Sequence, residues 1–388
     1  MAIGITQSTL LPPLGCCGRR NHRLRMSAIG TIIAVSSVLT IAKTTSAQGL
    51  ALNRSFNRPG NLLIADQFNN RVIEIDPKGD VLWSFGLGPN DFTAKSIVGV
   101  NDVQRVGELT LMAGTGTPTG VIPQAPDGVV DNRVMLVDPH GRIVWQYGEF
   151  GQTGSASNQL NTPVQSTWLP NSHVLITDQG NNRIIEVTRH KRIVWQYPGS
   201  NSNPADQLNS PNSAELLENG HILISDENNN RAIEVTRDHH ILKAFTAGGT
   251  VGAIAFSSRL DNEHTLLTDA GNSRAVEVDG NDNVVWQYVT NGDPNSIAAP
   301  LPTRALRLGD GDTLISDQFN NRVIRVNHAG HILSSYGLPL AGGDAIGNNV
   351  GDDLHTTQKG LYSPYDAKVV GDYTGLTPPA DFDEDADD

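Results

Sequence analysis

One motif recurs along this chain at nearly regular intervals, and it constrains the fold more than any other feature. The motif, Asp-x-x-Asn-Asn-Arg, first occurs in LLIADQFNNRVIEI at residues 62–75. Aligned on its arginine, it gives six units with spacings of 62, 50, 48, 43 and 48 residues. An aromatic residue follows each arginine by 14 positions, so two separate markers keep the same spacing. The arginines are Arg71, Arg133, Arg183, Arg231, Arg274 and Arg322. Such self-similarity is typical of a repeat architecture.

Each unit reads as four β-strands. Apolar residues alternate with others in RVIEI (71–75) and VLWSF (81–85), as in half-buried strands. Turn sequences such as DPKGD and DPHGR separate the runs. An inner strand such as PVQSTWL (163–169) begins a unit. Four-stranded units repeated four to eight times are the signature of a β-propeller. The predicted fold class is all-β, a six-bladed β-propeller of four-stranded antiparallel blades.

The motif itself has a structural explanation. Its Asp ends one strand and can accept hydrogen bonds from backbone N–H groups of the turn. The Asn pair tolerates the left-handed backbone that tight turns need. The Arg begins the next strand and can reach back to the Asp. Because these residues occur in almost every unit, we expect them to be scaffold rather than a functional site.

The repeats resemble two groups of known propellers. Asp-x-x-Asn-Asn-Arg-Val-Ile-Glu-Val followed by Ile-Val-Trp-Gln-Tyr is similar to the NHL-repeat six-bladed propellers and to bacterial arylsulfotransferase-like propellers, over roughly residues 50–375. The resemblance implies the fold but no single activity, since such propellers include lyases, lactonases, sulfotransferases and binding modules. Arylsulfotransferase-like propellers often have His-Asp in an inner strand. The comparable places here read Tyr365-Asp366 and Asn101-Asp102, without the histidine that would carry the sulfate.

The N-terminal region has the pattern of an export signal. Four arginines lie between residues 19 and 25, and an apolar run of 16 residues follows at 27–42. Small residues at Thr45 and Ala47 suit cleavage after Ala47. The run is short for a membrane span, and an uncleaved anchor is the alternative. We therefore expect an extracytoplasmic protein, periplasmic or secreted, with no stable membrane insertion after cleavage.

The predicted domains are a signal peptide (1–47), the propeller (48–376) and an acidic, disordered tail (377–388). Both cysteines, Cys16 and Cys17, lie in the signal peptide, which excludes disulfides and thiol catalysis in the mature chain. The leader carries five Lys or Arg and no acidic residue, so its removal changes the net charge from −13 to −18. A basic footprint for nucleic acid is absent.

The candidate site follows from positions that differ between units. A ligand site is normally built once, and the third residue of each inner strand varies. These residues are Asn53, Gln165, Ser213, Phe256, Arg304 and Asp366, with either Asn101 or Asp102 in the second unit. Because inner strands line the channel of a propeller, we expect these side chains near its mouth. The ligand-binding candidates are Asn101, Asp102, Gln165, Ser213, Arg304, His355, Tyr365 and Asp366.

Three further features depart from the repeat. The second unit lacks the Asp and carries an insertion (115–128), expected to project from the ring as a lid, a partner-binding loop or a tolerated insertion. The segments 51–57 and 364–370 both resemble an inner strand, and either can complete blade one; the C-terminal copy is slightly favoured. Histidines occur five residues before the repeated Asp in three units. They are His173, His221 and His264. Separate blades place such turns far apart, so no metal is expected there, and no cofactor is implied.

Two functional readings remain from the sequence. The first is a binding module for a small molecule, glycan or protein, acting through the channel-mouth face. The alternative is a propeller enzyme, a lyase, hydrolase or arylsulfotransferase-like protein, with its site at the central channel. In that case Asp366 would be a base or a metal ligand, Arg304 the anion clamp and His355 the proton shuttle. A third possibility is an assembly scaffold that docks a partner through the insertion of blade two.

Overall fold

The regular secondary structure of the described residues is almost entirely β-strand, arranged in six four-stranded sheets. The computed structural model describes residues 53–200, 203–293, 296–337 and 360–382, so the expected signal peptide lies outside the described residues. All strand pairs within the sheets are antiparallel. The predicted six-bladed β-propeller is therefore confirmed. Within the described ranges, no helix is both long and apolar enough to cross a membrane.

The strands follow one another blade by blade. Blade one contains β1 (Leu62–Asp66), β2 (Arg71–Ile75) and β3 (Val81–Phe85). Blade two contains β4 (Val100–Val106), β5 (Leu109–Thr117), β6 (Val129–Val137) and β7 (Ile143–Gly148). Blade three contains β8 (Pro163–Trp168), β9 (Val174–Asp178), β10 (Arg183–Val187) and β11 (Ile193–Tyr197). Blade four contains β12 (Pro211–Leu216), β13 (Ile222–Asp226), β14 (Arg231–Val235) and β15 (Ile241–Phe245).

Blade five contains β16 (Ile254–Arg259), β17 (Thr265–Asp269), β18 (Arg274–Val278) and β19 (Val284–Val289). Blade six contains β20 (Arg304–Arg307), β21 (Thr313–Asp317), β22 (Arg322–Val326) and β23 (Ile332–Tyr336). The last strand is β24 (Pro364–Val369). Short 3-10 helices occupy Gln67–Asn69, Gln179–Asn181, Pro204–Asp206, Glu227–Asn229, Ala270–Asn272 and Gln318–Asn320.

The ring is closed by the C-terminal strand. β24 pairs with β1, with Leu62 opposite Val369 and Ala65 opposite Asp366. It is therefore the inner strand of blade one, whose strand order is β24-β1-β2-β3. The described part of the competing N-terminal segment, residues 53–57, forms a turn. Of the two copies that the sequence left open, the C-terminal one completes the blade.

The alternation of strand directions gives the ring two different faces. The mouth face carries the Asp-x-x-Asn-Asn-Arg turns and the loops that lead from each blade to the next. The tail face carries the turns between the first and second strands of each blade. Residues 371–382, which follow β24, lie on the tail face, where Leu216 N–H donates to Thr377 Oγ1 at 3.0 Å.

The repeated motif holds each turn through one carboxylate. In blade three, Arg183 Nε and Asn181 Nδ2 both donate to Asp178 Oδ2 at 2.7 Å. The other oxygen, Oδ1, accepts the backbone N–H of Asn161, in the loop that leads into the same blade, at 2.8 Å. Asn182 adopts the left-handed conformation with φ 51°. The predicted Asp–Arg contact is confirmed in the other four units that carry the motif: Asp66–Arg71, Asp226–Arg231, Asp269–Arg274 and Asp317–Arg322.

The second asparagine of the motif also reaches the next blade. Asn321 Oδ1 accepts the backbone N–H of Ser363 at 2.8 Å, in the buried approach to β24. Equivalent bonds join Asn70 to Gly99, Asn132 to Thr162 and Asn182 to Ser210. Asn230 of blade four is exposed, and its side chain makes no such bond to the described residues. The motif therefore fixes its own turn, the approach to its own blade and, in most blades, the approach to the next.

Blade two keeps the ion pair although its turn lacks the aspartate. Gly114 lies opposite Arg133, where the other blades have Asp. The carboxylate comes instead from Asp131, which pairs with Arg133 and accepts the Val98 N–H at 2.7 Å. A Cβ at Gly114 would lie 2.6 Å from Asp131 Oδ2, so a side chain there would displace this carboxylate. The same contact is thus made from a different place in the sequence.

The insertion of blade two packs onto the ring, contrary to the expectation that it projects. Ile122 and Ala125 are buried with Phe68 and Tyr362 in one cluster on the mouth face. The Phe68 and Tyr362 rings meet edge-on, with centroids 5.4 Å apart. Removing these apolar side chains from water stabilises the packed conformation. The insertion therefore covers part of blade one.

Apolar side chains fill the seams between blades. Each of the six seams has its own buried cluster, so both faces of every sheet are covered. Tryptophan indoles tie the outer strands across four of the seams. Trp83, Trp145, Trp195 and Trp286 donate Nε1–H to the carbonyls of Pro139, Arg189, Arg237 and His328. Packing between blades, rather than within one, explains the Ile, Val and Trp of the repeat.

Replacing Asn321 with glycine should weaken the closure of the ring. Glycine accepts the left-handed conformation, so Asn321→Gly removes the side-chain bond without straining the backbone. Leaving the buried Ser363 N–H unpaired should lower the free energy of unfolding by about 1–3 kcal/mol. Asn230→Gly is the matched control and should change it by less than about 0.5 kcal/mol. Urea unfolding measures both, and equal effects would show that the link between blades contributes nothing.

Candidate functional site

The inner strands surround the ring axis, and five of them carry a β-bulge at their second residue. The bulged residues are Tyr365, Asn101, Val164, Asn212 and Ala255. The residues that follow them are Asp366, Asp102, Gln165, Ser213 and Phe256, and Arg304 holds the matching place in β20. The register therefore places Asp102, rather than Asn101, level with the other candidates. Asn53 lies in the N-terminal turn and not on an inner strand.

We call the inner-strand residues around the ring axis the hub. Three of their side chains join successive inner strands. Each accepts the backbone N–H of a residue in the next blade. Asp366 Oδ2 accepts from Val103 at 3.1 Å, Asp102 Oδ2 from Ser166 at 3.0 Å and Gln165 Oε1 from Ala214 at 2.6 Å. Ser213 Oγ donates to Ser225 Oγ at 2.7 Å within blade four, and Ser225 Oγ in turn lies 2.9 Å from Ser257 Oγ of blade five. These candidates therefore hold neighbouring blades in register.

Two carboxylates of the hub share one ammonium group. Lys368 Nζ lies 2.9 Å from Asp102 Oδ1 and also contacts Asp366 Oδ2, and both aspartates are fully buried. Burial raises the pKa of Asp102 to about 6, although Lys368 opposes the shift. Burial would also raise the pKa of Asp366, but Lys368 and Arg304 together hold it below its usual value. Asp102 is therefore the carboxyl that protonates first.

Arg304 extends across the other side of the hub. Its guanidinium lies over the rings of Phe256 and Tyr365, 5.0 and 5.3 Å from their centroids. Nη1 donates to Asn212 Oδ1 at 3.3 Å. Nε lies 3.9 Å from Asp366 Oδ1, and neither atom has a hydrogen-bond partner among the described residues. Burial raises the pKa of Tyr365 to about 12, so its hydroxyl stays protonated.

The tail-face end of the hub is capped by the C-terminal segment. Thr377 is buried, and its Oγ1 donates to Glu215 Oε2 at 2.6 Å. A pocket of about 10 Å³ remains between Gln104, Glu215, Lys368 and Thr377, with room for about one water molecule. Phe382 packs against Trp168, with ring centroids 5.6 Å apart. Residues 377–382 of the expected tail thus lie on the propeller, and residues 383–388 lie outside the described residues.

The polar residues at the mouth include a position that the sequence reasoning missed. It directly follows the repeated Asp and holds Gln67, Gln179, Glu227, Ala270 and Gln318. Gln67 Nε2 donates to Asn101 Oδ1 at 2.8 Å, and Gln318 Nε2 donates to Gln67 Oε1 at 2.9 Å. On the other side, Asn212 Nδ2 donates to Glu227 Oε2 at 2.9 Å. The sequence signal for this position is that its residue varies between blades although the Asp before it is repeated.

The repeated histidines hold glutamates rather than a metal. His173, His221 and His264 contact Glu186, Glu234 and Glu277 through Nδ1 at 2.6–2.7 Å. In blade six the same two places hold Asp312 and Arg325, which pair at 2.7 Å. The contact is therefore kept, but the acidic residue and its partner have exchanged places. Among the described residues no group of three or more His, Cys, Asp or Glu is arranged to hold a metal ion.

The structure brings together two members of the catalytic set considered from the sequence. Asp366 and Arg304 meet in the hub at 3.9 Å, but both are buried and engaged with neighbours. His355 lies outside the described residues. Of the other candidates, Asn101 and Tyr365 lie at the bulges, and Asp102, Gln165 and Ser213 link the strands. These hub residues bury charged groups and position the blades. A substrate could react with them only by displacing the contacts that they make with their neighbours.

The comparisons with known proteins support the fold. No family model matches the chain, and no curated protein matches it. A protein of unknown function from Bacteroides caccae aligns with TM-score 0.50 and 13% identity, covering 72% of this chain and 93% of that one. Virginiamycin B lyase from Staphylococcus aureus aligns with TM-score 0.42 and 14% identity, covering 62% and 70%. A chain of a nidogen/laminin complex gives 0.46 and 14%, covering 71% and 92%. At 13% identity the likeness to the Bacteroides caccae protein extends to the fold alone.

Asp102→Asn should change how stability depends on pH. The folded-state pKa of Asp102, about 6, is raised above the usual 3.8, so its ionisation destabilises the fold as pH rises between these values. Relative to wild type, Asp102→Asn should therefore gain up to about 3 kcal/mol between pH 4 and pH 7. Denaturant unfolding at several pH values measures the difference.

Asp366→Asn is the matched control for this pH series. Because the pKa of Asp366 is lowered, its stabilising contribution is present above its unfolded-state pKa and is lost only as pH falls through the lower folded value. The control should show no comparable gain between pH 4 and pH 7. A gain in Asp366→Asn and none in Asp102→Asn would contradict the assignment of the two carboxyls.

Proposed function

We propose that this chain is an exported binding module that recognises a small molecule, glycan or protein through its mouth face. The observation that carries the proposal is the state of the hub. Asp102, Asp366 and Arg304 are buried, and Lys368 and the neighbouring backbone already engage them. Such a set organises the blades, and its groups are buried away from a substrate.

The mouth face suits recognition better than the tail face does. The tail-face end of the hub is covered by residues 371–382, with Thr377 buried against Glu215. The mouth face carries the loops between blades, which differ in length and sequence. Loops held by a rigid scaffold commonly carry binding residues. Gln179 and Glu227 are only partly buried there, and Gln179 Nε2 donates to Glu227 Oε2 at 3.3 Å.

The runner-up is an enzyme acting at the central channel. The observation in its favour is a pair of buried atoms, Arg304 Nε and Asp366 Oδ1, that have no hydrogen-bond partner in the part of the chain that the structure describes. A substrate group between them could take a hydrogen bond from the guanidinium and give one to the carboxylate. This reading requires the hub to open at the mouth, and it assigns Asp366 as base and Arg304 as clamp for a lyase, hydrolase or sulfotransferase reaction.

Export is part of the proposal and rests on residues 1–47. The basic cluster, the apolar run and the small residues Thr45 and Ala47 support it. N-terminal sequencing of the mature protein should begin at Gln48, and the protein should be found outside the cytoplasm. A mature protein that begins at Met1 or Met26 and stays in the cytoplasm would contradict export.

A ligand screen with variants of both faces tests the binding function. The mature protein is tested by thermal shift against neutral oligosaccharides, p-nitrophenyl sulfate, γ-butyrolactone, and zinc and calcium chloride. We expect a neutral oligosaccharide to raise the melting temperature. The mouth-face variant Gln179→Ala combined with Glu227→Gln should lose the shift, because both side chains face the mouth. Glu263→Gln on the tail face, 86% exposed, should keep it.

Two outcomes would overturn this function. Turnover of the aryl sulfate or the lactone that disappears in Asp366→Asn would establish the enzyme reading instead. A shift that survives in the mouth-face variant and disappears in Glu263→Gln would place recognition on the wrong face.

A further inference from the structure

A cleft of about 350 Å³ opens on the mouth face at blade four. It lies between the loop that leads into the blade and the turn of the repeated motif. Pro204, Leu208 and Asn209 line it from the loop, and Asn229 and Arg231 line it from the turn. Its volume is at the lower end of the range usual for small-molecule sites. Equivalent turns in the other blades carry the same motif, so the cleft depends on what differs in blade four.

The difference begins with the arginine. Arg231 Nε donates to Asp226 Oδ2 at 2.7 Å, as in the other blades, and Nη2 donates to the Ala205 carbonyl at 3.0 Å. Nη1 has no hydrogen-bond partner among the described residues. Arg231 is also 21% exposed, more than any other arginine of the motif; the next is Arg274 at 15%.

The missing partner can be identified by comparing blades. In blade three, Arg183 Nη1 donates to Gln196 Oε1 at 3.3 Å, and in blade five Arg274 Nη1 donates to Gln287 Oε1 at 3.0 Å. Both glutamines follow their arginine by 13 residues. The same place in blade four holds Ala244. Blades one and six also lack the glutamine, with Ser84 and Ser335 in its place, but only in blade four does the arginine border this cleft.

The groups around the cleft suit a neutral polyhydroxylated ligand. Arg231 Nη1 is a fixed donor, while the exposed amide of Asn209 offers both a donor and an acceptor. Pro204 and Leu208 add apolar surface. A sugar ring presents adjacent hydroxyls, which both donate and accept, together with an apolar face. Donors, acceptors and apolar surface in one cleft match this combination.

The charges around the cleft disfavour an anion. The Arg231 guanidinium is already paired with the fully buried Asp226 carboxylate. A second carboxylate, Asp206, lies on the same loop and accepts the Asn203 N–H at 2.8 Å. Arg231 is the charged residue of the lining and Asp226 already balances its charge, so an anionic ligand would gain little attraction there.

We propose that this cleft is a subsite for a neutral sugar, with Arg231 Nη1 and the Asn209 amide binding adjacent hydroxyls. The inference rests on the proposed function, since it names a ligand class and a place on the mouth face. Ala244 is a positioning residue in this account, because its small side chain leaves the guanidinium available.

The test supplies the missing glutamine. Ala244→Gln should engage Arg231 Nη1, as in blades three and five, and weaken sugar binding about tenfold, the effect of one hydrogen bond. Asn209→Ala should weaken it similarly, because its exposed side chain is not needed for the fold. Gln287→Ala is the matched control, which opens the equivalent arginine of blade five and should leave the affinity unchanged. The probes are methyl α-mannoside, methyl β-glucoside and N-acetylglucosamine, titrated by NMR into the full mature protein.

The expected result is saturable binding of at least one sugar, with shifts centred on Asn209 and Arg231. Sodium sulfate binding there in place of any sugar would overturn the ligand class. Sugar binding that resists Ala244→Gln and Asn209→Ala but is lost on changing Gln179 and Glu227 would refute this subsite and leave the mouth-face function standing. Failure of all three sugars would refute this subsite, while another ligand that binds at Gln179 and Glu227 would leave the mouth-face function standing.

Discussion

The structure depends on one buried carboxylate in each blade. It binds an arginine and, in most blades, an asparagine and the backbone N–H of the approaching chain, so three segments meet at one side chain. Buried ion pairs are weak evidence for net stability, because desolvation opposes the Coulombic gain. Their effect here is on geometry, since the same carboxylate holds the turn and, in five of the six blades, the chain that approaches the blade. Blade two shows that the position of the carboxylate matters more than its place in the sequence: Asp131 supplies it where Gly114 replaces the usual aspartate.

The difference between where a group lies in space and where it stands in the sequence also explains what the sequence can predict. The spacing of the arginines predicts six blades, and alternation within a unit predicts strands, because both depend on neighbours along the chain. The Asp131 contact, the packing of Ile122 against blade one and the role of Thr377 depend on segments that meet only after the ring closes. The varied inner-strand position predicts which side chains surround the axis. It could not show that Asp366 and Asp102 bind the next blade, because that requires the register created by the bulges.

Sequence differences between blades therefore have different effects in the hub and in the loops of the mouth face. Variation at the hub provides blade-specific connections, with Lys368 neutralising carboxylates that a more regular ring would not bury. Sequence variation in the loops of the mouth face is less constrained, because a polar group that loses its partner there is hydrated by water. The replacement of a glutamine by Ala244 beside Arg231 is of this second kind. Positions that differ between repeats are therefore of two kinds. Some connect neighbouring blades, and others leave a polar group available to a ligand.

Native-state hydrogen exchange tests the carboxylate account most directly. The backbone amides of Tyr362, Asn161, Asn209 and Gly252 lie in loops and donate to the motif aspartates Asp66, Asp178, Asp226 and Asp269. If these bonds hold each approaching loop to its blade, the four amides should exchange as slowly as amides in the strands, through global unfolding. Exchange as fast as that of other loop amides would contradict the account, because the carboxylates would then not hold the approaching chain.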